Sequence, residues 1–215
     1  MSDAPDTTTV RLAMAADVPA LEALIAASVR ALSVGYYTPE QIESALRFVF
    51  GVDSQLISDE TYYVVDGPDG PAACGGWSRR ATLYGGDRHK GATDPLLDPA
   101  AAPARIRAFF VHPAWARRGL ATRLLATSAS AAAAAGFRDL ELAATLPGEP
   151  LYAALGFVAH ERSSVTLPDG VALPIVRMTR PIGAAGPGAG DERVVGRAAS
   201  GRASRHHDIR GRSDR

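Results

Sequence analysis

Cysteine is almost missing from this sequence. Cys74 is the only one among 215 residues, so no disulfide can form within the chain and no cysteine-based zinc site of the usual spacing is possible. An excess of charge is missing too. Lys and Arg number 23 and Asp and Glu number 23, which argues against a nucleic-acid binder working through overall basic charge. No run of about 18 apolar residues goes uninterrupted, so no membrane association through a spanning helix is expected. The opening MSDAPDTTTV has neither the basic nor the apolar part of a secretory signal. Lysine is reduced to Lys90, with arginine at the other basic positions. Together with abundant alanine, this reads as GC-rich coding rather than as function. What is left is a soluble, cytoplasmic chain of a reducing compartment, 47% hydrophobic and long enough for one cored domain and a tail.

The tail is set apart by composition. Residues 181–215 hold seven Arg against Asp191, Glu192, Asp208 and Asp214, a net of +3, while residues 1–180 carry 16 basic and 19 acidic residues, a net of −3. Gly, Ala, Ser and Arg dominate there, and such a segment buries too little surface to offset chain entropy. The expected organisation is a domain over 1–181 and a disordered tail over 182–215. His206 and His207 lie in that tail without the further ligands a metal site needs, so no metal is expected.

Periodicity and punctuation give an element order of β-α-α-β-β-β-α-β-α-β-β. TTVRLA at 8–13 reads as a strand, and Asp17 as the N-cap of a helix through Leu21, Leu24, Ile25 and Val29. Thr38-Pro39-Glu40-Gln41 is a capping box with proline at the first helical position. Strands follow at 61–66 and 72–78, joined by Gly67-Pro68-Asp69-Gly70; glycines in the second point to a bulge or a close backbone approach. Residues 79–104 are polar and turn-rich, a long loop of the functional kind. Beyond it come a strand at 105–111, a helix at about 117–135 with Gly136 as its stop, a strand at 138–144, a short helix at 149–155 and two closing strands.

The junction before the long helix carries the chemistry. Trp115-Ala116-Arg117-Arg118-Gly119-Leu120-Ala121-Thr122 runs from a strand into a helix. The first amides of a helix have no acceptor inside it, and with the helix dipole they form an anion site. Gly119 and Ala121 are small enough to let main chain approach a bulky anion. Arg117, Arg118 and Arg123 are cations at the end where the dipole disfavours them. A shared anionic ligand explains them; a solvated basic cap is the plain alternative.

The stretch Phe109-Phe110-Val111-His112-Pro113 followed by Arg118-Gly119-Leu120-Ala121 resembles the pyrophosphate-binding motif of the GNAT superfamily of N-acetyltransferases, Gln/Arg-x-x-Gly-x-Gly/Ala. Leu151-Tyr152-Ala153-Ala154-Leu155-Gly156-Phe157 resembles the Leu-Tyr-x-x-x-Gly-Phe segment of the same family. The likeness covers about residues 8–180. Two positions depart from the pattern: Ala116 stands where Gln or Arg is usual, and Thr145 stands where Asn is frequent.

The resemblance implies an α/β (α+β) fold with a mixed, mostly antiparallel central sheet, a splayed strand pair and helices on both faces. It implies acetyl-CoA as co-substrate and direct acetyl transfer to a primary amine, on a small molecule or a protein, through a tetrahedral intermediate. Residues 117–122 (Arg117, Arg118, Gly119, Leu120, Ala121 and Thr122) would hold the pyrophosphate. The pantetheine arm would pair with the strand edge at Phe110 and Val111, with a contact from Thr145, and the Val111 N–H could serve the oxyanion. Tyr152 is the candidate acid, because a phenol can protonate a thiolate of similar basicity. Glu141 and Glu149 are candidate bases, while a water chain or a substrate arriving partly neutral would need no dedicated base. Tyr36 and Tyr37, where this family often builds its acceptor pocket, and Trp77, at the mouth of the long loop, are weaker candidates for the amine site. The competing readings are a CoA-binding sensor or interaction module of the same fold and, less directly, a nucleic-acid-associated protein acting through its tail. A homodimer is compatible with the family.

Overall fold

The computed structural model describes residues 8–89 and 94–183; the expectation for the tail from residue 184 onward falls outside them. Seven strands form one sheet. In chain order the elements are β1 (Thr9–Leu12), α1 (Val18–Leu32), α2 (Pro39–Phe48), α3 (Ser54–Ser58), β2 (Tyr62–Gly67), β3 (Gly70–Ser78), β4 (Ala104–Val111), α4 (Leu120–Ala134), β5 (Asp139–Thr145), α5 (Glu149–Ala154), β6 (Val158–Thr166) and β7 (Ala172–Pro181). The sheet order is β1-β2-β3-β4-β5-β7-β6. Every neighbouring pair is antiparallel except β4 and β5. The mixed, mostly antiparallel sheet expected from the sequence is therefore present. Five-residue α3 is an addition to the expected order, capped by the Asp53 carboxylate on the Gln55 N–H at 3.2 Å.

Helices cover both faces. Leu21, Leu24 and Ile25 of α1 and Ile42, Ala45 and Leu46 of α2 pack on Tyr62, Val64 and Cys74. On the opposite face Leu124 of α4 meets Val65 and Ala73, while Leu125, Ala129 and Ala132 meet Ile106, Leu140 and Leu142. The alternation of Tyr62 and Val64 with Val65 is the strand period of two at work. Each fully buried leucine contributes about 2 kcal/mol of transfer free energy. In α4 the buried stripe is Leu120, Leu124, Leu125, Ser128, Ala129 and Ala132; Ala121 is left half-buried and Ala135 exposed.

Local signals act as read, with one exception. The Thr38 hydroxyl accepts from the Gln41 N–H at 3.2 Å, and the Gln41 side chain accepts from the Thr38 N–H at 3.0 Å. Asp17 does not cap α1 with its side chain. Its carboxylate takes Arg11 of β1 at 2.7 Å and the Met14 N–H at 2.8 Å instead, around a single 3-10 turn at 15–17. An ion pair out-competes the cap there.

Candidate functional site

The β4–β5 pair is the centre of the site. These strands hydrogen-bond only at their beginning, where Ala104 faces Leu140 and Arg105 faces Glu141. Beyond that they part. Two devices keep β4 apart. First, its register against β3 slips by one residue, from Gly76 opposite Arg107 to Cys74 opposite Phe110. The extra residue makes a β-bulge at Ala108, whose φ is +54°. Second, Tyr62 Oη lies 3.2 Å from both Ala108 O and Cys74 Sγ, and so props the bulge from below.

The gap opens a cleft of about 220 Å³ through the sheet. From the α4 and α5 side it is lined by Ala121, Gly148, Leu151 and Tyr152. From the α1 and α2 side it is lined by Ser28, Leu32, Phe50 and the Leu83–Gly86 segment. Phe109 and Phe110 of β4 project to opposite sides: Phe109 joins the α4-side core, and Phe110 stands edge-on to Phe50 at 5.9 Å.

At the mouth of the cleft the main chain takes an unusual path into α4. Gly119 has φ +78° and is the N-cap of α4, with no side-chain cap. Arg117 has φ +62°. Non-glycine residues with positive φ are uncommon. Among the described residues there are three, and two of them, Ala108 and Arg117, flank this cleft. The first N–H of the helix to find a main-chain acceptor is that of Arg123, on the Gly119 carbonyl at 3.1 Å. The N–H groups of residues 117–122 bond to no acceptor among the described residues. A Cβ at Gly119 would meet nothing within 4 Å, so the space in front of these amides is open. Arg117 and Arg118 are exposed beside it, Arg118 stacked over the Trp115 ring at 4.8 Å. Arg123 points elsewhere: its guanidinium holds Thr8 at the start of the sheet.

Tyr152 is buried between two aromatic edges, 6.4 Å from Phe109 and 5.6 Å from Phe157. The space for Phe109 comes from Gly75 on the neighbouring strand, where a Cβ would lie 2.5 Å from its ring. The close approach expected of these strand glycines thus serves the tyrosine. Tyr152 Oη has no hydrogen-bond partner among the described residues, and burial pushes the phenol well above its ordinary pKa. It therefore carries its proton throughout the neutral range.

The carboxylates are engaged elsewhere. Glu141 is buried and ion-paired to Arg105 and Arg177. Glu149 pairs with Arg162, 2.9 Å from its Nη1. Neither lines the cleft. The charged side chain that does is Arg107, which sequence reasoning passed over. It is buried, donates to Asp53 at 2.9 Å and Thr82 O at 2.7 Å, and also bonds the Gly85 carbonyl. It pins the start of the long loop into the cleft wall. An arginine inside the apolar run RIRAFFV was the available signal, since a buried guanidinium requires partners.

The remaining sequence-derived residues divide. Phe110, Val111, Ala121, Thr145 and Tyr152 line the cleft. Val111 N–H donates to Ser28 Oγ at 3.3 Å, a long bond that an acceptor in the cleft could replace. Tyr36, Tyr37 and Trp77 do not line it. Tyr36 is half-exposed in the α1–α2 connection. Tyr37 is buried as a strut, donating to Pro174 O at 2.6 Å and accepting from the Leu146 N–H at 2.9 Å. Trp77 packs edge-on to Phe137 beneath α4. The lone Cys74 is buried, and burial pushes its thiol up to about 12, which makes it inert.

Fold and site together define an α/β protein whose split sheet opens beside a helix N-terminus with unbonded main-chain N–H groups. Residues 95–179, which hold the helix mouth, β4 and Tyr152, match the family described as the acetyltransferase (GNAT) domain. The match spans 85 of the 215 residues, and the fold of the chain is that of the solved GNAT structures. Among solved structures it is similar to "GCN5-related N-acetyltransferase: aminotransferase, class-II" from Rhodopseudomonas palustris, with 21% identity over 82% of this chain and 96% of that one and a TM-score of 0.61. It is also similar to the PaiA N-acetyltransferase of Thermoplasma acidophilum in complex with coenzyme A, at 12% identity, 81% and 99% coverage and a TM-score of 0.55. Ard1 from Thermoplasma volcanium aligns at 14% identity, 81% and 97% coverage and a TM-score of 0.52. These likenesses are of fold. No curated protein matches the chain in sequence. No helix among the described residues is long and apolar enough to cross a membrane.

Proposed function

We propose that the protein is an acetyl-CoA-dependent N-acetyltransferase acting on a primary amine. The observation that carries this reading is the row of unbonded N–H groups at residues 117–122, opening on the cleft between β4 and β5. A diphosphate fits it: the donors converge at a helix N-terminus, Gly119 leaves their approach open, and Arg117 and Arg118 add charge without blocking it. Acetyl-CoA held there would supply an acetyl thioester, an acyl group already activated for transfer.

The chain's own residues do the rest. The freed edge of β4 at Phe110 and Val111 and the Thr145 side chain line the path of an extended arm. Tyr152 Oη, with its proton retained by burial, donates to the departing sulfur. Desolvation raises the proton affinity of a thiolate as it does that of a phenolate, so the transfer stays matched inside the cleft. With Glu141 and Glu149 both ion-paired, no carboxylate in the cleft takes the amine proton.

Two measurements test the reading. Coenzyme A at about a hundred times its dissociation constant should stabilise the protein by about 2.7 kcal/mol, and acetyl-CoA with an amine panel should release free thiol. Absence of stabilisation removes the cradle and the assignment with it. Stabilisation without thiol release for any amine makes the protein a CoA-binding module.

A further inference from the structure

Resting on the reading of this cleft as the reaction site, we infer that the acceptor is a weakly basic amine on an apolar body, an aromatic amine being the model case, and that it enters uncharged. Among the described residues no Asp or Glu lines the cleft. The charged side chain that lines it is a cation, Arg107, and its partner Asp53 is fully buried behind it. Glu22 of α1 is turned to the Val52 N–H at 2.9 Å and to Arg88 at 2.8 Å. An ammonium group entering here would lose its water and find no carboxylate in return, at a cost of several kcal/mol.

The walls fit an apolar body. Leu32, Val49, Phe50, Leu83 and Leu173 line the α1 and α2 side. The Phe50–Phe110 pair offers ring faces and edges for an aryl group to pack on. At the end of α1 the apolar surface continues outward, with Leu32 38%, Val34 70% and Tyr36 50% exposed. Weak basicity also answers the missing base. An ordinary alkylamine of pKa about 10.4 is neutral in on the order of one molecule in a thousand near pH 7.4. A weakly basic amine is neutral already. Its nitrogen forms the N–C bond as the thioester C–S bond breaks; the sulfur takes the Tyr152 proton, and the surplus proton on nitrogen returns through water to the Tyr152 oxygen.

The test compares two isomers with the same carbon count, 4-propylaniline and 3-phenylpropylamine, together with spermidine, on the full-length protein with saturating acetyl-CoA. The readout is KM from thiol release, or the inhibition constant against the faster substrate where turnover is slow. The expected result is a constant for 4-propylaniline at least about tenfold below that of 3-phenylpropylamine at pH 7, the gap closing toward pH 9 as the alkylamine loses its proton. An equal or lower constant for 3-phenylpropylamine or spermidine at pH 7 overturns this inference and leaves the acetyltransferase reading standing. No thiol release from any of the three, with coenzyme A bound, overturns this inference; the acetyltransferase reading falls with it only where the wider amine panel is also silent.

Discussion

The two ends of the β4–β5 pair use polar groups in opposite ways. At the paired end, Glu141 is buried and ion-paired to Arg105 and Arg177 within the protein. At the parted end, the amides of 117–122 and the Tyr152 hydroxyl have no partner among the described residues. One end closes the sheet; the other presents it. The first N–H groups of a helix have no acceptor inside it and are satisfied from outside. Where a set of them converges on one opening, a ligand is the natural complement.

The sharpest way to break the contrast is at the closed end. Glu141→Ala leaves two arginines facing each other without their acid, and we expect a loss of about 3–5 kcal/mol in urea or thermal unfolding; a loss under about 1 kcal/mol would mean that the ion cluster is not what holds the strands together. At the open end the effect should fall on turnover instead. Tyr152→Phe should lower kcat by about a hundredfold, with coenzyme A affinity and unfolding nearly unchanged; a parent-like kcat would take the hydroxyl out of the reaction. Tyr62→Phe lies between the two regimes. Losing the prop under Ala108 should cost about 1 kcal/mol of stability and raise KM for acetyl-CoA, and an unchanged KM would separate the bulge from the cleft.

The smallest effect expected is a pH effect at the loop. The Arg80 guanidinium, 2.6 Å away, holds the Asp59 carboxyl below its ordinary value near 3.8. A depressed carboxyl contributes fully above its unfolded pKa and loses that contribution as pH falls through the folded one. Urea midpoints compared between the parent and Asp59→Asn should therefore differ by up to about 1 kcal/mol near pH 6 and converge below about pH 3. A gap that persisted in acid would assign the difference to packing.

Legibility from the sequence followed the range of the interactions. The capping box at Thr38, the turn glycines and the helix mouth at Gly119 are local, and a local pattern determines them. Tyr152 was singled out through its segment, and it lies in the wall of the cleft. The splay and the bulge depend on Tyr62 meeting Ala108 46 residues away, and nothing near either residue announces it. Tyr37 and Trp77 illustrate the opposite failure. Both stand beside functional loops in sequence, yet each turns inward, Tyr37 to tie α1 to β7 and Trp77 to fill the α4-side core. Arg107 was passed over because its partners, Asp53 and the carbonyls of 82 and 85, come from two separate segments.

The long loop is fastened to its neighbours by arginines: Arg80 to Asp59, Arg88 to the Leu46 and Phe50 carbonyls, and Arg107 to Thr82 and Gly85. The helix mouth, by contrast, grows directly out of a core strand and a core helix. A wall hung on side-chain clamps can be recut, lengthened or exchanged while the cradle behind it stays in register. Under the proposed function, divergence in the acceptor can therefore proceed without renegotiating how the donor is held.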